Sequence, residues 1–317
     1  MIIKAILPLL VLVLIVLCVF SVWNIHSPTY SRDKEPQFID VLISTQIDRA
    51  ETIPSADILI VGDSSGLMDI RPILLSQIID RKVESLATVA YAGPRGIASI
   101  LDRLSARHIE PQVVILVLHA AALPKLKEWS SWTDRIVHGP PKRAIEMNLF
   151  QGALGKMNDL VSPFVFRPLE GAYGSYYGDS SNFEAFIRQN HGGAIEPRPR
   201  EASDDSPVSK LDWCCSFEMS DIFRSEIPIL RKSLSKFPNA KVWLLISPLP
   251  SRWATPQERA NRAFAISELL RGLRLRKSVI LDTPAYWPSR EFSVPTHLYE
   301  SAAPRFTRLL ANELTKG

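Results

Sequence analysis

A Gly-Asp-Ser-Ser-Gly segment at residues 62–66 offers the clearest group of chemically active side chains in this sequence. It follows directly on residues 57–61, an apolar run with the composition of a buried β-strand. Ligands of open α/β sheets bind at the carboxyl ends of strands, and a helix beginning there offers free N–H groups to an oxyanion. Ser64 is therefore a candidate nucleophile, with Asp63 beside it in the binding site. The alternative is that Asp63, Ser64 and Ser65 only cap the following helix.

A second Gly-Asp-Ser-Ser segment, at residues 178–181, serves as an internal control. It follows a tyrosine-rich loop and no apolar run, so the pattern predicts a turn there. Ser180 is therefore not a candidate nucleophile, because the preceding strand, and not the motif alone, supports the interpretation of Ser64.

A serine nucleophile needs a base within hydrogen-bond distance, and two of the six histidines follow apolar runs. His119 comes directly after residues 113–118, and His297 lies between the apolar run 278–281 and the last helical segment. Both are expected at the same edge of the sheet. His297 has the better flanking pattern, although an isolated histidine is more often structural, so its assignment as the base depends on its pairing with Ser64.

The elements that must position these residues alternate between strands and helices. Apolar runs without a polar alternation are typical of strands covered on both faces; they lie at residues 57–61, 86–91, 113–118, 242–246 and 278–281. Helical periodicity separates them, and a capping box at Thr255 to Glu258 opens one helix. A final helix is predicted at 299–314, with Phe306, Leu309 and Leu310 facing inward. The pattern predicts a three-layer α/β/α sandwich around a five-stranded parallel sheet.

Residues 124–212 interrupt this alternation with a segment rich in Gly, Pro, Ser and aromatic residues. A segment of this length is typically a functional cap or a disordered insertion, and its aromatic content favours a packed cap. Residues 146–160 could form one amphipathic helix within it. Its aromatic side chains form either a small satellite core or a platform for sugar rings.

The N-terminus has the character of a membrane anchor. Residues 5–23 form a run of 19 residues without a charge, which as a helix is about 28 Å long and matches a bilayer core. The run exceeds a signal-peptide core and no small-residue cleavage site follows it, although a cleaved signal peptide and a buried core helix are alternatives. We expect a single-pass anchor at 1–24, a stalk at 25–54 and the α/β domain at 55–317. The domain is then periplasmic or otherwise extracytoplasmic, at the inner membrane.

Composition excludes several other classes of protein. The 317 residues carry a formal net charge of +4, and no Lys/Arg-rich run suggests a nucleic-acid partner. Three cysteines, with Cys214 next to Cys215 and Cys18 in the apolar run, supply neither a disulfide framework nor a zinc site. The sequence contains no metal cluster and no phosphate-binding loop, so no metal and no cofactor are expected.

The chain resembles the SGNH (GDSL-type) hydrolase superfamily at two blocks. Residues 58–65 are similar to its first block, a strand followed by Gly-Asp-Ser, and residues 292–298 are similar to its last block, which ends in His-Leu before a helix. The resemblance covers about residues 55–125 and 215–317, and it implies an SGNH/flavodoxin-like sheet with Ser64 as nucleophile and His297 as base. It further implies Gly93 as the second-block oxyanion donor.

Three positions depart from the family pattern. Val294 stands where the family has the aspartate that orients its histidine, so either Asp282 replaces it or the site is a dyad without an acid. His119 stands where the family has an oxyanion-binding asparagine, which makes it an alternative oxyanion or binding residue. At Gly93 the next residue is a proline, which removes one nearby N–H.

Within the superfamily, the anchor and the insertion make the chain most similar to the membrane-anchored SGNH-like proteins of cell-surface polysaccharide and teichoic-acid acylation. This implies a serine esterase or O-acyltransferase that acts on acyl, such as acetyl, esters of an exported polysaccharide. Its expected partners are the membrane, the polysaccharide or acyl-ester substrate and a membrane-bound O-acyltransferase. The alternative, consistent with the missing aspartate and asparagine, is a non-catalytic binding or assembly subunit of such a complex.

Overall fold

A computed structural model describes most of the chain from residue 35 onward. The described residues are 35–125, 127–139, 176–178, 180–197, 217–274, 278–281, 283–294 and 296–316. The predicted anchor at 1–24, the predicted helix at 146–160 and Asp282 lie outside them. Among the described residues, none of the helices combines the length and the apolar character that crossing a bilayer requires.

The described residues form nine α-helices and nine strands. The helices are α1 (Glu35–Thr52), α2 (Ser64–Met68), α3 (Pro72–Ile79), α4 (Gly93–Ala106), α5 (Ser130–His138), α6 (Ser180–Gln189), α7 (Asp221–Leu234), α8 (Pro256–Leu273) and α9 (Ala303–Lys316). The strands are β1 (Ile58–Gly62), β2 (Val83–Ser85), β3 (Val113–Leu118), β4 (Lys241–Ile246), β5 (Leu249–Pro250), β6 (Ser278–Ile280), β7 (Tyr286–Trp287), β8 (Phe292–Val294) and β9 (His297–Leu298).

The main sheet has the strand order β2-β1-β3-β4-β6, and every neighbouring pair is parallel. The predicted α/β class is therefore confirmed. The predicted strand at 86–91 is wrong, because the strand is Val83–Ser85. Beyond it only the N–H groups of Leu86 and Thr88 still donate to carbonyls of β1, and the chain turns into a 3₁₀-helix at Ala90. Within β2, Glu84 is buried and accepts a hydrogen bond of 2.6 Å from Arg49 of α1, a distant partner that makes a charged residue compatible with a buried strand.

Side chains that alternate along each strand supply two separate cores. Leu59 and Val61 of β1 face a cluster that includes α1, α4, α7 and α8, whereas Ile58 and Ile60 face a cluster that includes α3 and α9. This alternation explains why the strands are apolar throughout, since each face is covered by helices. The predicted final helix is confirmed in α9, where Phe306 and Leu310 are fully buried.

Helix α1 corrects the predicted stalk at 25–54. Residues 35–52 of that segment form a helix whose Leu42 and Ile43 are buried in the domain core. Asp40 pairs with Arg135 of α5, so polar residues of α1 also have partners within the domain. Residues 35–52 therefore belong to the α/β domain and not to a stalk.

The insertion contributes two described helices, α5 and α6. Ser180 begins α6, so the second Gly-Asp-Ser-Ser segment leads into a helix and not into the predicted isolated turn. Phe183 of α6 is buried and contacts Phe38 of α1, with ring centroids 5.3 Å apart. These contacts make α6 a packed part of the domain.

Candidate active site

Ser64 lies at the first position of α2, directly beyond the end of β1. Gly62 ends the strand at φ +144°, and a Cβ there would lie 1.8 Å from the Val117 carbonyl oxygen, so this close approach requires glycine. Asp63 caps the helix, accepting a hydrogen bond of 2.9 Å from the Ser65 N–H. Ser64 is half-buried, whereas Asp63 and Ser65 are buried, so the serine has the accessibility that a nucleophile requires.

The carboxylate of Asp63 supports the site from behind. One of its oxygens caps α2 and the other accepts a hydrogen bond from the backbone N–H of His119, which follows β3. Burial raises the pKa of Asp63 to about 6, and the two N–H donors oppose that rise. Both carboxylate oxygens of Asp63 thus accept hydrogen bonds from backbone N–H groups. Asp63 was predicted as an oxyanion or binding residue, and in the structure it holds the backbone around Ser64 and His119 in place.

His297 lies in β9, where its two neighbours are bonded to α2. The Ser65 hydroxyl donates to the Thr296 carbonyl at 3.5 Å, and the Leu298 N–H donates to Asp69 Oδ1 at 2.9 Å. These bonds place His297 against the short helix that begins with Ser64. His297 and Ser64 line the same cavity, so the structure brings the predicted nucleophile and base together.

Asp69, which the sequence analysis missed, lies beside His297 and forms an ion pair with it when the ring is protonated. Its Oδ1 lies 3.8 Å from His297 Nδ1, and both side chains are buried. Burial raises the pKa of Asp69 well above its ordinary value, and the Leu298 N–H opposes the rise. Val294 is paired with His297 across the β8–β9 ladder and supplies no acid, and Asp282 lies outside the described residues. Asp69 caps the carboxyl end of α2, five residues after Ser64, and no local sequence pattern marks it as a partner of His297.

His119 presents a neutral imidazole to the same cavity. Its Nδ1 accepts a hydrogen bond of 2.9 Å from the Ala121 N–H, so the proton of the neutral ring lies on Nε2. Nε2 is shielded from solvent and has no hydrogen-bond partner among the described residues. Burial, and secondly the nearby His297, lower the pKa of His119 to about 3. His119 is therefore a neutral N–H donor and not a second base.

Gly93 does not take the predicted role of oxyanion donor. Its N–H donates to the Ala90 carbonyl and closes a turn of 3₁₀-helix, so this donor is already engaged. The residue has φ +59°, and a Cβ there would meet Lys125 Nζ at 2.7 Å and Glu226 at 2.9 Å. Gly93 instead provides space for the buried Lys125–Glu226 ion pair, whose closest atoms are 2.7 Å apart.

The cavity beside Ser64 has a volume of about 200 Å³. Its polar lining residues include Ser64, His119, Thr296 and His297, and its remaining lining is largely apolar. No group of three or more acidic, histidine or cysteine side chains that could hold a metal ion occurs within the described part of the chain.

Comparisons with known proteins give little similarity. No protein-family model and no curated protein matches the sequence. Among solved structures, the chain is similar to a carbohydrate esterase family 2 enzyme with a carbohydrate-binding domain from Corynascus thermopiles (Myceliophthora fergusii). The two are 12% identical with a TM-score of 0.39, and the match covers 84% of this chain and 68% of that one. Similarity at this level supports no assignment of activity, which has to come from the geometry of the site.

Proposed function

We propose that this protein is a serine-dependent acyl-ester hydrolase or acyltransferase. The observation that carries the proposal is the convergence of Ser64, His119 and His297 on one cavity, with His297 fixed through both of its neighbours to the helix that starts at Ser64. A nucleophile, a base and a neutral N–H donor are the groups that acyl transfer requires.

In the first half-reaction, Ser64 Oγ attacks the acyl carbonyl carbon while His297 accepts the hydroxyl proton. Its Nδ1 side faces Asp69, which leaves Nε2 for Ser64. The carbonyl oxygen becomes an oxyanion, which the His119 Nε2–H and the backbone N–H of Ser64 stabilise. The imidazolium of His297 then donates its proton to the leaving alcohol, and the acyl group remains on Ser64.

In the second half-reaction, an acceptor hydroxyl attacks the acyl carbon of the acyl-serine while His297 accepts its proton. The bond from the acyl carbon to Ser64 Oγ then breaks, and the imidazolium of His297 returns the proton to Oγ. Water gives hydrolysis, and a sugar hydroxyl gives transfer. Asp69 is a positioning residue in this scheme, because an imidazolium at His297 favours the ionised carboxylate 3.8 Å away.

We extend the proposal to carbohydrate hydroxyls as the alcohol and to a membrane-anchored, extracytoplasmic location. The support is the sequence resemblance to the SGNH-like proteins of polysaccharide acylation and the uncharged run at residues 5–23. A membrane-bound O-acyltransferase is the proposed partner, since that resemblance implies one.

Covalent labelling with a fluorophosphonate tests the proposal. We expect a single adduct, mapped by mass spectrometry to Ser64, and complete loss of labelling in Ser64→Ala. Ser180→Ala is the matched control and should leave the labelling unchanged. Ser180 has the same place as Ser64 in a Gly-Asp-Ser-Ser sequence, at the start of α6, but a tyrosine-rich segment and not an apolar run precedes it. A folded protein that takes up no label would instead favour the non-catalytic subunit, and a label that persists in Ser64→Ala would show that Ser64 is not the nucleophile.

A further inference from the structure

We infer that the cavity beside Ser64 binds an unbranched aliphatic acyl chain of about six to eight carbons, so that the preferred donor is a medium-chain acyl ester rather than an acetyl ester. This inference rests on the proposed function, because it assigns the acyl group of the same reaction.

The lining of the cavity has the chemistry of an acyl-binding site. Apart from the four polar residues at the reaction centre, the described lining consists of aliphatic and aromatic residues and Met68. Tyr91 is the one further side chain among these described residues that carries an oxygen or nitrogen atom. A sugar ring enclosed here would leave several hydroxyl groups without hydrogen-bond partners, which is unfavourable. A methylene chain has no such requirement, so the enclosed part of the substrate is the acyl group and the alcohol part lies outside.

The walls come from segments added to the central sheet. Phe38, Ile39 and Leu42 project from α1, and Phe183 projects from α6 in the insertion. The Phe183 ring packs against Phe38 and also against Tyr177, with ring centroids 4.7 Å apart in the second pair. These contacts hold the aromatic wall of the cavity in place.

The volume sets the length of the chain. A cavity of about 150 Å³ lined by aliphatic and aromatic side chains accommodates benzene, so the observed volume of about 200 Å³ suits about six to eight carbons. An acetyl group would leave most of this space empty. Burial of each additional methylene group favours binding by about fourfold, so four additional groups amount to roughly 10²-fold.

The test measures kcat/KM of the full-length chain on p-nitrophenyl acetate, butyrate, hexanoate, octanoate and dodecanoate. We expect kcat/KM to rise by roughly 10²-fold from acetate to hexanoate, to be highest for hexanoate or octanoate, and to fall for dodecanoate. Ala90→Leu, at a half-buried position on the cavity wall, should shift the optimum to shorter chains, and Phe183→Ala should shift it to longer ones.

Phe237→Ala is the matched control for Phe183→Ala. Phe237 is also buried but does not line the cavity, so its loss should reduce thermal stability without changing the chain-length optimum. Hydrolysis with acetate as the best substrate, or a profile that Ala90→Leu does not move, would overturn the inference while the proposed function stands. If no ester is hydrolysed and Ser64 takes up no fluorophosphonate, the proposed function itself is wrong and the inference is overturned with it.

Discussion

Replacing His119 by alanine should lower kcat for ester hydrolysis by about 10²–10³-fold while Ser64 stays in place. The reason is the tautomer that the structure assigns. The Ala121 N–H donates to Nδ1, so Nε2 carries the proton and can donate it to the oxyanion. The pKa of about 3 keeps this ring neutral at every pH at which an esterase would be assayed.

The magnitude follows from the number of donors around the oxyanion. The Gly93 N–H is engaged with Ala90, which leaves the His119 Nε2–H and the Ser64 N–H as the proposed donors. One oxyanion donor is typically worth about 2.7–4 kcal/mol of transition-state stabilisation, which corresponds to the stated loss of rate. With two donors in place of a larger set, the loss should lie toward the upper end of that range.

His119→Ala also removes the acceptor for the buried Ala121 N–H, which should cost about 1–3 kcal/mol of unfolding free energy. His119→Asn is the matched variant that keeps both functions. Its side-chain oxygen can cap the turn two residues on, as Asp63 does for Ser65, and its amide can donate to the oxyanion. We expect the kcat of His119→Asn to stay within about tenfold of the parental value. This loss is smaller than that expected for His119→Ala, which removes the donor.

The assay combines kcat on a p-nitrophenyl ester with thermal unfolding of each variant. If His119→Ala remains folded and retains more than about one third of the parental kcat, well above the expected loss, His119 is not an oxyanion donor. An equal loss of rate in the alanine and asparagine variants would also count against this role, because the asparagine amide keeps an N–H donor at this position.

Three further predictions concern the surroundings of this ring. Asp69→Asn should lower kcat by about 10–10²-fold, less than the roughly 10⁴-fold known for a hydrogen-bonded triad, because 3.8 Å exceeds hydrogen-bond length; an unchanged pH–rate profile and kcat would contradict a positioning role. Gly62→Ala should lose roughly 3 kcal/mol or more in urea unfolding, since its Cβ would lie 1.8 Å from the Val117 oxygen. Between pH 6.5 and about 3, His119 binds a proton in the unfolded chain but not in the folded protein. The free energy of unfolding should therefore fall, as the pH falls, by about 1.4 kcal/mol per pH unit from this residue. His119→Asn should show a correspondingly shallower pH dependence in urea titrations.

Local patterns predict the part of the site that depends on the central strands. The apolar run 113–118 coincides with β3, and the position of Ser64 after β1 follows from the buried run before it. His297 was predicted from its place between the last strand and the last helix, and the structure puts it beside α2. These residues could be identified because continuous apolar strands and their carboxyl ends are visible in the sequence.

Other features depend on contacts between distant segments and have no local signal. Arg49 of α1 and Glu84 of β2 form a buried ion pair at 2.6 Å. Because each of these charges is buried only through its distant partner, the sequence around neither one indicates that its segment lies in the core. Asp69 reaches His297 only because β9 returns to α2 from 229 residues further along the chain. Gly93 is predicted as an oxyanion donor, but its N–H donates to the Ala90 carbonyl in a 3₁₀ turn that the sequence pattern does not indicate.

Both carboxylate oxygens of Asp63 are hydrogen-bonded to the backbone, and this affects how a Gly-Asp-Ser sequence should be interpreted in any relative of this protein. Its two oxygens join the start of α2 to the residue after β3, and an asparagine could accept only one of these two backbone N–H groups. Selection for folding alone would therefore retain the aspartate, even in a descendant that had lost its chemistry. The motif then reports that the architecture is intact, and the state of the serine and histidine must be established separately.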